Sequence, residues 1–302
     1  MSSPRVQRSL ALGSLLYAAS MWGLMWYPYR LLDEAGVGGL ASTFFTYAVP
    51  LAALGWLHGR ELARVRGPRQ RLWLAALALA AGWTNLAYVL AMLEGEVVRV
   101  LLLFFLSPLW TVLFSRVLLG ERLNRAGGAV MTLAAGGAVT MLWQADEWPL
   151  PASRAEWIAL SAGMMFALSN VISRHLGEVG EGARSTAVWA GVVVLTAIGL
   201  NLTEGGLAFV GQGDWRPWAL LLGVGAAIAS VTYTVQYGLA RVPANQAIVI
   251  FLVELVVAAV AAYFLSHERM GLQEWLGAAM IVTASLFSGH MQDAASKEPA
   301  HA

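Results

Sequence analysis

The sequence predicts an all-α membrane protein, with ten transmembrane helices arranged as two inverted five-helix repeats, and three observations carry that expectation. The 302 residues are 58% hydrophobic and only 12% charged, about half the charged fraction of a soluble domain. The apolar excess falls into blocks of about 20 residues, the length a helix needs to cross a hydrocarbon core. The chain also repeats itself. Arg30, Leu32, Glu34, Gly36 and Gly38 return in register as Arg174, Leu176, Glu178, Gly180 and Gly182, an offset of 174 − 30 = 144. Glu121-Arg122 returns as Glu268-Arg269, at 268 − 121 = 147. Two anchors at nearly equal spacing argue for one ancestral unit used twice.

Taken in order, the first repeat places spans at residues 9–31, 39–58, 71–92, 97–118 and 125–143. A polar connector from Gln144 to Arg154 leads to the second, at 155–175, 185–203, 217–239, 245–265 and 271–289. The repeats are thus 9–143 and 155–289, and residues 290–302 read as a disordered cytoplasmic tail. Arg5 and Arg8 ahead of an apolar run also describe a signal peptide. The run continues unbroken past Ala18-Ala19-Ser20 to Tyr29, which favours an uncleaved first helix.

Orientation follows from the cations. Arg5, Arg8, Arg60, Arg64, Arg66, Arg69, Arg71, Arg116, Arg122, Arg125, Arg174, Arg184, Arg241 and Lys297 fall on one side; Arg30, Arg99, Arg154, Arg216 and Arg269 fall on the other. That asymmetry places both termini in the cytoplasm by the positive-inside rule. Five helices per repeat then force the second unit to insert upside down. Inverted repeats of this kind are a transporter signature, with the substrate site near the midplane where the repeats meet.

The resemblance then becomes specific. Trp22-Gly23 followed by Arg30, Pro108 in the fourth span, and Gly120-Glu121-Arg122 leading into a Gly-rich fifth span resemble the drug/metabolite transporter superfamily, EamA type. The second half echoes this with Phe166-Ala167, Arg174 and Glu268-Arg269 leading to Gly277. Within that superfamily the chain resembles the bacterial inner-membrane aromatic amino-acid exporter branch, which implies amino-acid export rather than catalysis. The resemblance also implies a cavity lined by the first, third, fourth, sixth, eighth and ninth spans. Leu255 stands where the first half has Pro108, so a matching kink in the ninth span is not expected.

Candidate site residues follow from polarity inside apolar spans. Glu254 lies midway along the ninth span, where a charged carboxylate costs about 2.5–3.5 kcal/mol and so faces the bundle interior or water. It reads as a proton-titrating group, a partner for a substrate ammonium, or a structural hydrogen bond. Asn85 and Tyr88 share a helix face, as do Asn170 with Ser173, Ser107 with Thr111, and Tyr233 with Tyr237, beside which stands Gln236. Such groups either line a neutral hydrogen-bonding cavity or make interhelical contacts worth only about 0.6 kcal/mol each. Trp22, Trp26 and Trp110 lie well inside spans, away from the interfacial positions most of the 13 tryptophans occupy. They would supply flat apolar walls with one indole donor each.

Several classes are set aside. No cysteine excludes disulfides and thiolate metal sites. The one lysine, Lys297, excludes a membrane-embedded Schiff base. No cation at mid-span disfavours phosphate-sugar carriers, and no ATPase motif is present. Gly127-Gly128, Gly136-Gly137, Gly223 and Gly225 read as close helix packing, not nucleotide loops. The expectation is therefore a secondary exporter of amino acids, aromatic and other apolar ones preferred, with other small metabolites or organic cations as the alternative. Its partners are the substrate and the lipid bilayer. No nucleic acid, cofactor or metal is called for, and the oligomeric state is open, a lone monomer included.

Overall fold

The computed structural model describes residues 4–65, 67–95, 97–143, 151–202, 210, 214–265 and 271–291. The Glu268-Arg269 echo, Arg66, Trp148 and the tail after Met291 lie outside these. Among the described residues the chain is helical: α1 Pro4–Glu34, α2 Gly39–Leu54, α3 Gly59–Arg64, α4 Pro68–Glu94, α5 Val97–Phe104, α6 Ser107–Leu119 and α7 Arg125–Leu142 form the first half. The second half comprises α8 Arg154–His175, α9 Glu181–Leu202, α10 Arg216–Arg241, α11 Ala244–Phe251, α12 Val253–Leu265 and α13 Leu272–Phe287.

Seven helical stretches are long and apolar enough to cross a membrane, α5–α6 and α11–α12 each counting as one, and α2 is a shorter apolar helix. The burial pattern is that of a protein in lipid. Leu72, Val117 and Leu286 are exposed, whereas Ser107, Thr111, Ser115, Arg184 and Thr196 are fully buried. Three of these hydroxyls are satisfied within their own helix: Thr111 Oγ1 donates to Ser107 O at 3.0 Å, Ser115 Oγ to Val112 O at 3.3 Å and Thr196 Oγ1 to Val192 O at 2.6 Å.

Local chemistry sets the helix ends. Asn124 caps α7 by accepting from Gly127 N–H at 2.6 Å. Ser153 caps α8 and accepts from Glu156 N–H at 3.3 Å, the two residues having capping-box spacing. Glu156 in turn takes Arg99 Nη2 at 2.9 Å, tying the start of α8 to α5. Gly120 closes α6 at φ 68°, in the left-handed region that favours glycine.

Two predicted spans are broken rather than continuous. The fourth divides into α5, of 8 residues, and α6, of 13; the ninth divides into α11, of 8, and α12, of 13. The expectation that the ninth span would not kink is thus corrected. Pro108, in the first turn of α6, accounts for one break. The other needs no proline: Leu255 N–H reaches back only to Leu252 O at 3.1 Å, tightening the turn there. What the two breaks share is a crossing helix. Gly163 of α8 lies against the Phe104 carbonyl, and Gly23 of α1 lies against the Glu254 carbonyl.

Packing follows the repeat. α4 packs on α8 and α9, and α10 packs on α1 and α2; α6 meets α8 as α12 meets α1; α2 meets α9 and α7 meets α13. Hydrogen bonds repeat too. Tyr17 Oη pairs with Ser230 Oγ at 2.8 Å and Trp83 Nε1 donates to Ser161 Oγ at 3.1 Å. These contacts are equivalent at the anchors' own offsets, 161 − 17 = 144 and 230 − 83 = 147. Several expected packing glycines sit at close crossings: Gly137 against the Gly277 carbonyl, Gly225 against Val49 and Gly127 against Met291, whereas Gly128 and Gly223 face open space.

Candidate functional site

Four rings mark the centre of the molecule. Trp22 of α1 lies edge-on to Phe251, at the end of α11, with centroids 5.4 Å apart. Phe166 of α8 lies 5.4 Å from Phe104, at the end of α5. These pairs are repeat equivalents, 166 − 22 = 144 and 251 − 104 = 147. Trp22 and Phe166 close the set at 6.0 Å, and Tyr88 extends it onto Phe104 at 5.0 Å. The ends of both short helices are therefore pinned to the same aromatic cluster.

Beside the rings is a cavity of about 60 Å³, roofed by Trp22 and Phe166 and lined by α1, α2, α4, α8, α9 and α10. That volume holds a few waters and no organic molecule of metabolite size. Its polar wall comprises Asn85 and Thr84 from α4, Ser169, Asn170 and Ser173 from α8, and Thr232 and Gln236 from α10, with the Tyr47 ring opposite. No carboxylate lines it among the described residues. Most donors are spent at home: Asn85 Nδ2 on Ala81 O at 2.9 Å, Thr84 on Ala80 O at 2.8 Å and Ser169 on Phe166 O at 2.9 Å. Ser173 Oγ donates to Gln236 Oε1. Asn170 Nδ2 is buried without a partner among the described residues.

Of the residues singled out by sequence, Trp22, Asn85, Asn170, Ser173 and Gln236 meet at this cavity. Tyr88 packs at the aromatic cluster just beyond it. Trp26 is partly buried on α1, edge-on to Tyr27 at 5.7 Å, its indole N–H unpartnered. Ser107 is fully buried at the α5–α6 break with its hydroxyl likewise unpartnered. Trp110 stacks on Phe114 at 6.3 Å along α6. Tyr233 is 40% exposed, 5.9 Å from the His58 ring, and Tyr237 lies under Arg241 at 3.8 Å. Glu254 is half-buried at the start of α12 and does not line the cavity. Sequence reasoning missed Tyr47, Phe166 as a ring of the cluster, Thr232, and above all Arg184 behind the wall.

The two repeat anchors also meet in space. Arg174 Nε lies 3.7 Å from Glu121 Oε1, and Arg174 Nη1 donates to Ala240 O. Glu121 accepts from Ala244 N–H at 3.1 Å, at the head of α11, and Asn245 Nδ2 donates to Ser115 Oγ at 2.8 Å. Glu121 and Ser115 of the first half thereby clasp α8 and α11 of the second, and Arg174 ties that clasp to α10. Burial pushes the Glu121 carboxyl above its usual range, although the Ala244 N–H and Arg174 pull the other way.

The comparisons with known proteins agree with this architecture. The model of the EamA-like transporter family matches residues 9–143 and again residues 153–289. A protein named RarD from Streptomyces exfoliatus is 28% identical, covering 89% of this chain and 86% of its own length. A riboflavin transporter from Rhizobium johnstonii is 26% identical over 95% of this chain and 90% of its own. A crystal structure with 20% identity superposes with a TM-score of 0.71, covering 93% of this chain and 96% of that one, and so shares the fold. With one family match in each half and seven apolar helices between them, this chain belongs to the EamA-like transporter family.

Proposed function

We propose that this protein is a secondary transporter that exports amino acids, aromatic and other apolar ones preferred, across a bacterial inner membrane. The observation that carries the reading is the central cavity, where residues of both halves supply hydrogen-bonding groups beneath an aromatic roof. Amide and hydroxyl groups suit the polar end of an amino acid, and Trp22 and Phe166 suit an apolar or aromatic side chain. At about 60 Å³ the cavity is too small for an amino acid, so alternating access must widen it for substrate to enter. The moving parts are two inverted five-helix halves, residues 9–143 and 155–289, with ten membrane crossings and both termini cytoplasmic. Trp22, Asn85 and Asn170 contact substrate directly, and Tyr88 closes the aromatic side. Trp26, Ser107, Trp110, Tyr233, Tyr237 and Glu254 serve the cycle from outside the cavity.

A second reading, export of a larger planar metabolite, is favoured by the relative named as a riboflavin transporter. Organic cations fit less well, since no carboxylate among the described residues lines the cavity. Purified protein in liposomes, loaded with a labelled amino-acid panel, riboflavin and a quaternary ammonium ion, separates these. Saturable, stereoselective efflux of phenylalanine or leucine is expected. Efflux of riboflavin alone would replace the amino-acid reading with the second one.

A further inference from the structure

A buried charge stands behind the cavity wall. Arg184, in the first turn of α9, is 0% exposed. Its Nε donates to Val179 O at 3.0 Å, and its Nη1 donates to Ser173 O at 3.1 Å and to Gln236 Oε1 at 3.2 Å. Its Nη2 is buried with no hydrogen-bond partner among the described residues. Two carboxylates in its neighbourhood are engaged elsewhere: Glu181 with Arg241 at 2.7 Å, and Glu61 with the Ala183 N–H at 3.1 Å. A guanidinium stays charged in any protein environment, and burying one without a hydrogen-bonded counter-charge is unfavourable. Glu181 and Glu61 lie close enough to favour the charge, but neither accepts a hydrogen bond from the guanidinium, which leaves Nη2 without an anionic acceptor among the described residues.

The wall in front of Arg184 is short of acceptors in the same way. Gln236 Oε1 receives both Arg184 Nη1 and Ser173 Oγ. With the amide oxygen held by two donors, its NH2 is the end left for the cavity that Gln236 lines. Asn170, on the same wall and 6% exposed, has its Nδ2 unpartnered. Two N–H donors backed by a fixed positive charge describe a receptor for an anion.

We propose that Asn170 and Gln236, backed by Arg184, form a carboxylate-binding subsite. The anionic head of the substrate accepts from Asn170 Nδ2 and Gln236 Nε2, and the Arg184 guanidinium, fixing the Gln236 amide from behind, is its counter-charge. Arg184 is therefore a positioning residue, not a contact. This rests on the cavity being the transport site and narrows what enters it. Organic acids and zwitterionic amino acids are taken; amines and alcohols with the same apolar body are refused. A purely structural Arg184, holding the Ser173 and Val179 carbonyls at the end of α8, would give no such selectivity.

The test is calorimetric titration of the purified protein with 3-phenylpropionate, phenethylamine and 3-phenylpropan-1-ol, alongside flux of phenylalanine and phenylalaninamide in liposomes. The acid should bind at least about tenfold more tightly than the amine or the alcohol, as expected for hydrogen bonds to a charged group. Asn170→Leu should weaken the acid about tenfold without changing the melting temperature of the unliganded protein. Arg184→Gln, where it folds, should abolish the preference for acid over alcohol. The proposal is overturned if the acid does not bind, if the alcohol or amine binds as tightly, if Asn170→Leu leaves the acid unaffected, or if phenylalaninamide is moved as fast as phenylalanine. Acid binding without phenylalanine flux would instead remove the amino-acid reading and leave the subsite standing.

Discussion

At Asn170 a buried amide nitrogen has no acceptor among the described residues, and such groups are few enough in native structures that each calls for a physical reason. Glu254 is the opposite case, an acid in an apolar helix that lies outside the cavity and whose own backbone is pressed against Gly23 of α1. Glu254→Gln keeps the shape and hydrogen bonding of the neutral acid, so it should leave counterflow exchange and substrate affinity within about twofold of the parent. Loss of exchange in that variant would return Glu254 to the substrate site. A variant that exchanges normally but no longer responds to an imposed pH gradient would make it the coupling residue. The cavity was partly legible from sequence at this scale. Asn85 and Asn170 announce themselves as amides in apolar helices. Arg184 did not, because charge near a span end reads as a loop residue facing water. Its burial comes from the turn between α8 and α9 folding over it, a tertiary event. One signal was available: counting back by 144, Arg184 falls on Leu40, so the second repeat places a cation where the first places a buried leucine.

Among the elements, the crossing of α4 and α9 is the closest, with Gly191 against the Ala78 carbonyl and Gly82 against the Gly191 carbonyl. A side chain at Gly191 forces the helices apart, and overpacking of this kind costs about 1–3 kcal/mol or more. Gly191→Val should therefore lower the melting temperature or leave no folded protein in detergent. Gly223→Ala, on a face where a Cβ meets nothing within 4 Å, should be neutral or raise stability by up to about 1 kcal/mol through helix propensity. From the sequence Gly223 reads as a packing glycine and Gly191 is passed over, and the packing reverses that order. The Glu121 clasp yields a pH dependence. Its raised value means the folded chain holds that proton more tightly than the unfolded chain does. Its contribution to folding is therefore present at acid pH and is lost as pH rises from the ordinary carboxylate range through the raised value. Replacing Glu121 with Gln should flatten the melting temperature across that window. An unchanged slope would mean that Arg174 keeps the carboxylate ionised throughout. The break in the ninth span belongs to the same level: no residue in Phe251-Leu252-Val253 breaks a helix, and the break coincides with the passage of α1.

For the whole molecule, the repeat makes a geometric demand. The Tyr17–Ser230 and Trp83–Ser161 hydrogen bonds, and the Trp22–Phe251 and Phe166–Phe104 ring pairs, are the same contacts made twice. An odd number of crossings per half would put equivalent residues on opposite sides of the membrane, Arg30 outside and Arg174 inside. The cysteine-free sequence allows single probes at exposed sites without background. Ala35→Cys, in the α1–α2 turn, and Arg122→Cys, beside the Glu121 clasp, are both exposed and lie in the connections that the arginine distribution assigns to opposite faces. An impermeant thiol reagent added to intact cells should label Ala35→Cys and spare Arg122→Cys until the membrane is opened. Labelling of both from outside would mean an even number of crossings between them, which breaks the inverted repeat. The reversed pattern would keep the repeat and turn the molecule over, which would carry the Glu121–Arg174 clasp to the outer face instead of the inner one. Asn170→Cys then reports the cycle itself. Buried at the wall of a cavity of about 60 Å³, it should react slowly from either side, and alternating access requires that a substrate gradient expose it to one face at a time. Simultaneous reactivity from both faces would describe a pore, and the two halves would then have no need to move.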